Sequence, residues 1–120
     1  MTEKKILVID DDPIMLDILK TFLRSQGFGV ETALDGVEGL SRVENYRPNL
    51  ILLDVMMPKM DGYTFIRELR KNEKFRDMPV VVLTGREMMR EMFMQEGVLD
   101  YVMKPFQAEE LLAIISKYLN

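Results

Sequence analysis

"NLILLDVMMPKMDG", residues 49–62, holds the contrast that decides the fold. Leu50, Ile51, Leu52 and Leu53 form an unbroken apolar run that ends in the carboxylate of Asp54. A run so short and so uniformly apolar reads as a strand covered on both faces. The chain then breaks into a segment holding Pro58 and Gly62, both turn formers. A buried strand therefore delivers a negative charge to its own tip. Two other runs have the same form. "KILVIDDD" (5–12) is apolar from Ile6 to Ile9 and ends in acids, and "PVVVLT" (79–84) is apolar from Val80 to Leu83 and ends in a hydroxyl.

Helical spacing fills the gaps between such runs. Ile14, Met15, Ile18, Leu19 and Phe22 predict a first helix, stopped at Gly27 and Gly29. "VETAL" (30–34) alternates polar and apolar residues and reads as a strand with one face less buried. Val37, Leu40 and Val43 mark a short helix ending before Pro48, and Tyr63, Ile66 and Leu69 mark another. Met88, Met89, Met92 and Phe93 mark a fourth, closed by Gly97. "LDYVMK" (99–104) is a mixed strand, and Leu111, Ile114, Ile115 and Tyr118 mark the last helix. Alternating strands and helices predict a parallel sheet with helices on both faces. Strands one, three and four are continuously apolar and belong in the middle; two and five are mixed and belong at the edges. Among known folds, the flavodoxin-like (βα)5 arrangement, a doubly wound five-stranded sheet of order 2-1-3-4-5, meets those demands. A single domain over residues 1–120 is expected.

Composition narrows the chemistry. The chain has no Cys and no His, which removes disulfides, thiolate zinc sites and the commonest general base. Chemistry must rest on carboxylates, hydroxyls and lysine. A net charge of −4 argues against nucleic-acid binding. No apolar run approaches the roughly 18 residues of a membrane span, and "MTEKKILVID" lacks a signal-peptide pattern. A cytoplasmic location is expected.

In a doubly wound sheet, ligands bind beyond the carboxyl ends of the strands where the winding reverses, here between strands one and three. Asp10, Asp11 and Asp54 end those strands. Like charges so close repel unless a cation intervenes. Mg²⁺ prefers oxygen ligands and keeps several waters, which an open crevice supplies. Thr84 and Lys104 end strands four and five at the same rim, where a hydroxyl and an ammonium suit an oxyanion such as a phosphoryl group. Each residue also has a plainer use. Thr84 can be a strand-ending hydroxyl, Lys104 a solvated charge and Asp54 a turn former. For Asp12 the plainer use is preferred: followed by Pro13, it reads as a helix N-cap. The methionines read mainly as core filler, with Met89 and Met92 near a partner face.

With "LVIDDDP", "LLDVMMPKMDG", "VVLTG" and "DYVMKPF" in order, each at a strand end, the chain closely resembles the receiver domain of two-component response regulators. The resemblance covers essentially the whole chain. It implies that Asp54 is the phosphoacceptor and that Asp10, Asp11, Asp54 and the Met56 backbone carbonyl hold Mg²⁺. It implies that the Thr84 hydroxyl and the Lys104 ammonium meet the phosphoryl group, and that the Lys104–Pro105 bond is cis. Gly85 matches the small residue after the threonine, and Tyr101 matches an aromatic switch residue that turns inward as Thr84 moves. That turn changes the surface of the fourth helix, fifth strand and fifth helix. Met56 and Arg86 flank the path of the water that hydrolyses the acyl phosphate. Neither orients a water, so slow self-dephosphorylation is expected. The nineteen residues between Thr84 and Lys104 are fewer than is usual in the family, which shortens the loop after strand four or the fourth helix.

The implied partners are a sensor histidine kinase or histidine phosphotransfer protein, and an output partner or domain. The implied role is a switch that catalyses its own phosphorylation, not a turnover enzyme. Two other readings differ in kind. A phosphate-independent interaction module would not need all five site residues. A phosphatase of the haloacid dehalogenase type would use Asp10 and Asp12 as its D-x-D, but that family wants Thr or Val where Ile14 stands.

Overall fold

The computed structural model describes residues 3–54, 60–84 and 90–119. Five strands, β1 (Lys5–Ile9), β2 (Gly29–Ala33), β3 (Leu50–Asp54), β4 (Val80–Thr84) and β5 (Asp100–Met103), form one parallel sheet of order β2-β1-β3-β4-β5. The helices are α1 (Pro13–Ser25), α2 (Gly36–Tyr46), α3 (Gly62–Lys71), α4 (Arg90–Gln95) and α5 (Ala108–Leu119), with a 3-10 turn at Glu73–Phe75. The expected order, the central position of β1, β3 and β4 and the edge positions of β2 and β5 are all observed. The short 3-10 turn had no periodic signal to announce it.

Alternation along the strands divides the core into two layers. Leu7, Ile9, Ile51, Leu53, Val80 and Val82 face Phe65, Ile66, Leu69 and Phe93 of α3 and α4. Ile6, Val8, Leu50, Leu52, Val81 and Leu83 face Leu16, Leu19 and Leu23 of α1 and Leu111 and Ile115 of α5. Burying one such side chain contributes about 1.5–3 kcal/mol. The β1–β3 register pairs Ile9 with Leu53, so the residues that follow them, Asp10 and Asp54, emerge side by side.

The α1 helix turns one apolar face to the sheet and leaves another open. Leu16, Leu19 and Leu23 are its buried residues, whereas Ile14 and Ile18 are 70% and 56% exposed. The helix carries two apolar stripes, and periodicity alone does not say which one meets the sheet. The second stripe opens on a groove of about 440 Å³ between α1 and α5, lined by Met15, Ile18, Phe22, Pro105 and Phe106 and reaching Lys104. In the fourth helix Phe93 is buried and Met92 is 41% exposed. Met88 and Met89 lie outside the described residues.

Below the sheet, Arg70 ties several elements together. Its guanidinium donates to the carbonyls of Met78 at 2.8 Å, Glu96 at 3.1 Å, Phe75 at 3.2 Å and Gly97 at 3.3 Å. It thereby fastens the end of α3 to the 3-10 turn, the approach to β4 and the end of α4. Burial lowers its pKa, with Asp77 and Glu96 opposing the shift. Arg70→Ala is expected to lower stability by about 2 kcal/mol, because four carbonyls lose a charged donor. Arg70→Lys, which lacks the planar fork, is expected to recover less than half of the loss. Urea unfolding of the three proteins measures both.

Candidate functional site

Asp10 and Asp54 stand at the carboxyl ends of adjacent strands and are only 2% and 6% exposed. Asp11 beside them is exposed. One carboxylate oxygen from each of the three lies within 4.8 Å of the others. The backbone holds the deepest acid in place: the Asp10 amide donates to the Ala33 carbonyl at 3.1 Å, and Asp10 Oδ1 accepts the Asp12 amide at 3.0 Å. Asp12 itself points the other way. Its side chain accepts the Ile14 amide at 2.9 Å and caps α1, with Pro13 as the first helical residue. The capping reading of Asp12 is the observed one.

Lys104 enters from the far side of the sheet. Its Nζ lies 3.3 Å from Asp10 Oδ2 and 3.6 Å from Asp54 Oδ1. Its amide donates to the Thr84 carbonyl at 2.7 Å, which fixes the chain just after β5 against the end of β4. The Lys104–Pro105 bond is cis. Thr84 is 1% exposed at the tip of β4. Asp10, Asp11, Asp54, Thr84 and Lys104 thus come from four strand ends on one rim.

The charge balance decides what the crevice accepts. Among the described residues, three carboxylates face one ammonium, a formal excess of two negative charges. An all-oxygen donor set with that excess, open on the Asp11 side, fits a hard divalent cation. The Met56 carbonyl, the further expected ligand, lies outside the described residues, as do Gly85 and Arg86.

Tyr101, on β5, is buried, 4% exposed. It packs against Phe93 of α4 at 6.0 Å between ring centroids, and the Arg90 guanidinium lies 5.9 Å from its centre. Phe93 in turn meets Tyr63 of α3 edge-on at 5.6 Å. The Tyr63 hydroxyl pairs with Glu96 Oε2 at 3.3 Å. Sequence reading singled out Tyr101 and missed Tyr63 as its continuation, since a tyrosine on a helix carries no motif.

The model of the response regulator receiver domain matches residues 6–116. The chain belongs to the response regulator receiver family. Receiver-bearing relatives include the DNA-binding dual master transcriptional regulator RpaA of Synechocystis, 38% identical over 97% of this chain. Another is the response regulator MprA of a Mycobacterium species, 44% identical over 91% of this chain. This chain spans about half of each, 49% and 47%. Among solved structures, the chemotaxis protein CheY4 of Vibrio cholerae superposes with a TM-score of 0.92 at 29% identity, covering 98% of this chain and all of that one. The receiver domain of a sensor histidine kinase from Pseudomonas aeruginosa superposes at 0.88 and 34% identity, covering 98% of both chains. That receiver has a magnesium ion coordinated in its active-site cleft. The acid cluster of this receiver lies at the corresponding strand ends and could hold a metal ion.

Asp11→Ala is expected to weaken Mg²⁺ binding by at least about tenfold, since it removes an oxygen donor and a charge from the open side. Titration calorimetry compares the variant with wild type. Equal affinities would take Asp11 out of the site.

Proposed function

We propose that residues 1–120 form a single receiver domain working as a phosphorylation-dependent switch, with Asp54 as phosphoacceptor. The observation that carries this reading is the meeting of Asp10, Asp11 and Asp54 with Lys104 at one rim. The donor is a phosphohistidine on a sensor histidine kinase or histidine phosphotransfer protein. A carboxylate oxygen of Asp54 attacks the phosphorus, the phosphorus–nitrogen bond breaks, and its electron pair leaves with the imidazole. An acyl phosphate results. Lys104, already beside Asp54, neutralises charge on the transferring oxygens, and the Thr84 hydroxyl donates to one of them. When bound by Asp10, Asp11, Asp54 and the Met56 carbonyl, Mg²⁺ supplies further neutralisation of those oxygens. Most of the catalysis is positioning and electrostatics. The chain thus promotes its own modification and is not a turnover enzyme.

The partner needs a way to Asp54. The α1–α5 groove ends at Lys104, and Ile18 lines it as exposed apolar surface. We assign the phosphodonor's docking to this side. Thr84, Tyr101, Phe93 and α4 carry the change to the α4-β5-α5 surface, which an output partner or domain reads. Met92, exposed on α4, belongs to that surface. No helix among the described residues is long and apolar enough to cross a membrane. The same proposal places the protein in the cytoplasm, with no direct contact to nucleic acid or membrane by these residues. Against the phosphatase alternative, Asp12 is occupied in capping α1.

Acetyl phosphate with Mg²⁺ is expected to add one phosphoryl group, labile to hydroxylamine, and Asp54→Asn to abolish it. Mass spectrometry of intact protein reads both. Undiminished labelling of the variant would refute the assignment of Asp54. The double substitution Met56→Asn and Arg86→Glu is expected to shorten the life of the phosphorylated state by placing a water near the phosphorus. Its decay after donor removal, in excess Mg²⁺, measures this; an unchanged or slower decay would rule out gating by these side chains.

A further inference from the structure

The end of α4 is fastened to α3 through Glu96. The Glu96 carbonyl accepts from Arg70 Nε at 3.1 Å, and the next carbonyl, that of Gly97, accepts from Arg70 Nη2 at 3.3 Å. The Glu96 carboxylate accepts the Tyr63 hydroxyl at 3.3 Å, and that hydroxyl accepts in turn from Arg67 Nη1 at 3.5 Å. Main chain and side chain of Glu96 are thus both tied to α3. Arg70 Nη1 also holds the carbonyls of Phe75 and Met78, just ahead of β4. One guanidinium therefore gathers the place where the chain enters β4 and the place where it leaves α4.

Phe93, one turn before Glu96, is fully buried. The Tyr63 ring meets it edge-on at 5.6 Å, and the Tyr101 ring lies 6.0 Å from it. The strand that carries Tyr101 leads to the rim: Lys104 Nζ lies 3.6 Å from Asp54, and the Lys104 amide donates to the Thr84 carbonyl at 2.7 Å. A shift of Tyr101 therefore meets α4 at Phe93, next to a helix end that is already held. A helix held at one end yields to a push by turning about that end. We propose that Arg70 and Tyr63 make the end of α4 a pivot: the helix answers phosphorylation by swinging about Glu96, and the Tyr63 hydroxyl is the positioning group that keeps this end in place. The inference rests on the reading of the protein as a switch with Asp54 as phosphoacceptor.

The test compares amide spectra of each protein with and without excess acetyl phosphate and Mg²⁺, with mass spectrometry of the same samples to count phosphoryl groups. Tyr63→Phe keeps the ring on Phe93 and loses the hydroxyl. Glu96→Ala breaks the same bond from the other partner. Tyr118→Phe is the control: it removes a hydroxyl that donates to the Leu99 carbonyl at 3.1 Å, away from the proposed pivot. In wild type, residues 90–92 are expected to shift several-fold more than Glu96 and Gly97. In Tyr63→Phe and in Glu96→Ala the two ends of the helix are expected to shift almost equally. Their double variant is expected to match either one, since both substitutions break one bond. Tyr118→Phe is expected to keep the wild-type gradient. If wild type takes up no phosphoryl group, the switch reading and this inference fall together. If it is phosphorylated and Glu96 and Gly97 shift as much as residues 90–92, only the pivot falls. A wild-type gradient in both Tyr63→Phe and Glu96→Ala would overturn the role of the Tyr63 hydroxyl. So would an equal loss of the gradient in Tyr118→Phe, since general loosening would then suffice. Should Tyr63→Phe fail to fold, Glu96→Ala decides on the same criterion.

Discussion

The pairing of Ile9 with Leu53 is the contact on which the site depends. It belongs to a parallel ladder, and parallel strands send their carboxyl ends the same way. Asp10 and Asp54 are far apart in sequence yet leave the sheet side by side because of it. The sheet can hold them there because β1, β3 and β4 are clothed on both faces. A one-residue slip would exchange the two faces of a strand, a change that two different apolar layers oppose. Rigid positioning of two like charges thus comes from apolar packing on both sides of them.

Lys104 adds a second constraint of a different sort. It reaches the acids from the edge strand, 3.3 Å from Asp10 and 3.6 Å from Asp54. The amide of the same residue is tied to the Thr84 carbonyl. The cation, the hydroxyl-bearing strand and the acid pair are therefore mechanically connected. Asp54, Lys104 and the β4–β5 ladder that carries Tyr101 are joined by direct contacts. Coupling from site to α4 needs only neighbours already in contact.

Much of this was legible in the residues. Strand ends were marked by a switch from apolar to charged or hydroxyl side chains, and the continuous runs at β3 and β4 betrayed burial on both faces. Asp12 was separable from Asp10 and Asp11 because Pro13 follows it. Other features had no local signature. The phase of α1 had no such mark, since Ile14 and Ile18 repeat as regularly as Leu16 and Leu23 and only the tertiary fold chooses between them. Arg70 bonds to carbonyls up to 27 positions away, and every residue offers a carbonyl, so no sequence pattern marks that clamp.

The aromatic row has an optical consequence. The protein contains no tryptophan and four tyrosines. Two of them, Tyr63 and Tyr101, flank Phe93 on either side. The other two, Tyr46 and Tyr118, stand beside lysine ammonium groups elsewhere on the molecule. Near-ultraviolet dichroism of tyrosine depends on how rigidly and in what asymmetric field a ring is held. Two of the four tyrosine rings therefore report on the packing between α3, α4 and β5. The chain carries its own chromophores at the place where its surface is set, so that packing can be followed in solution without a label.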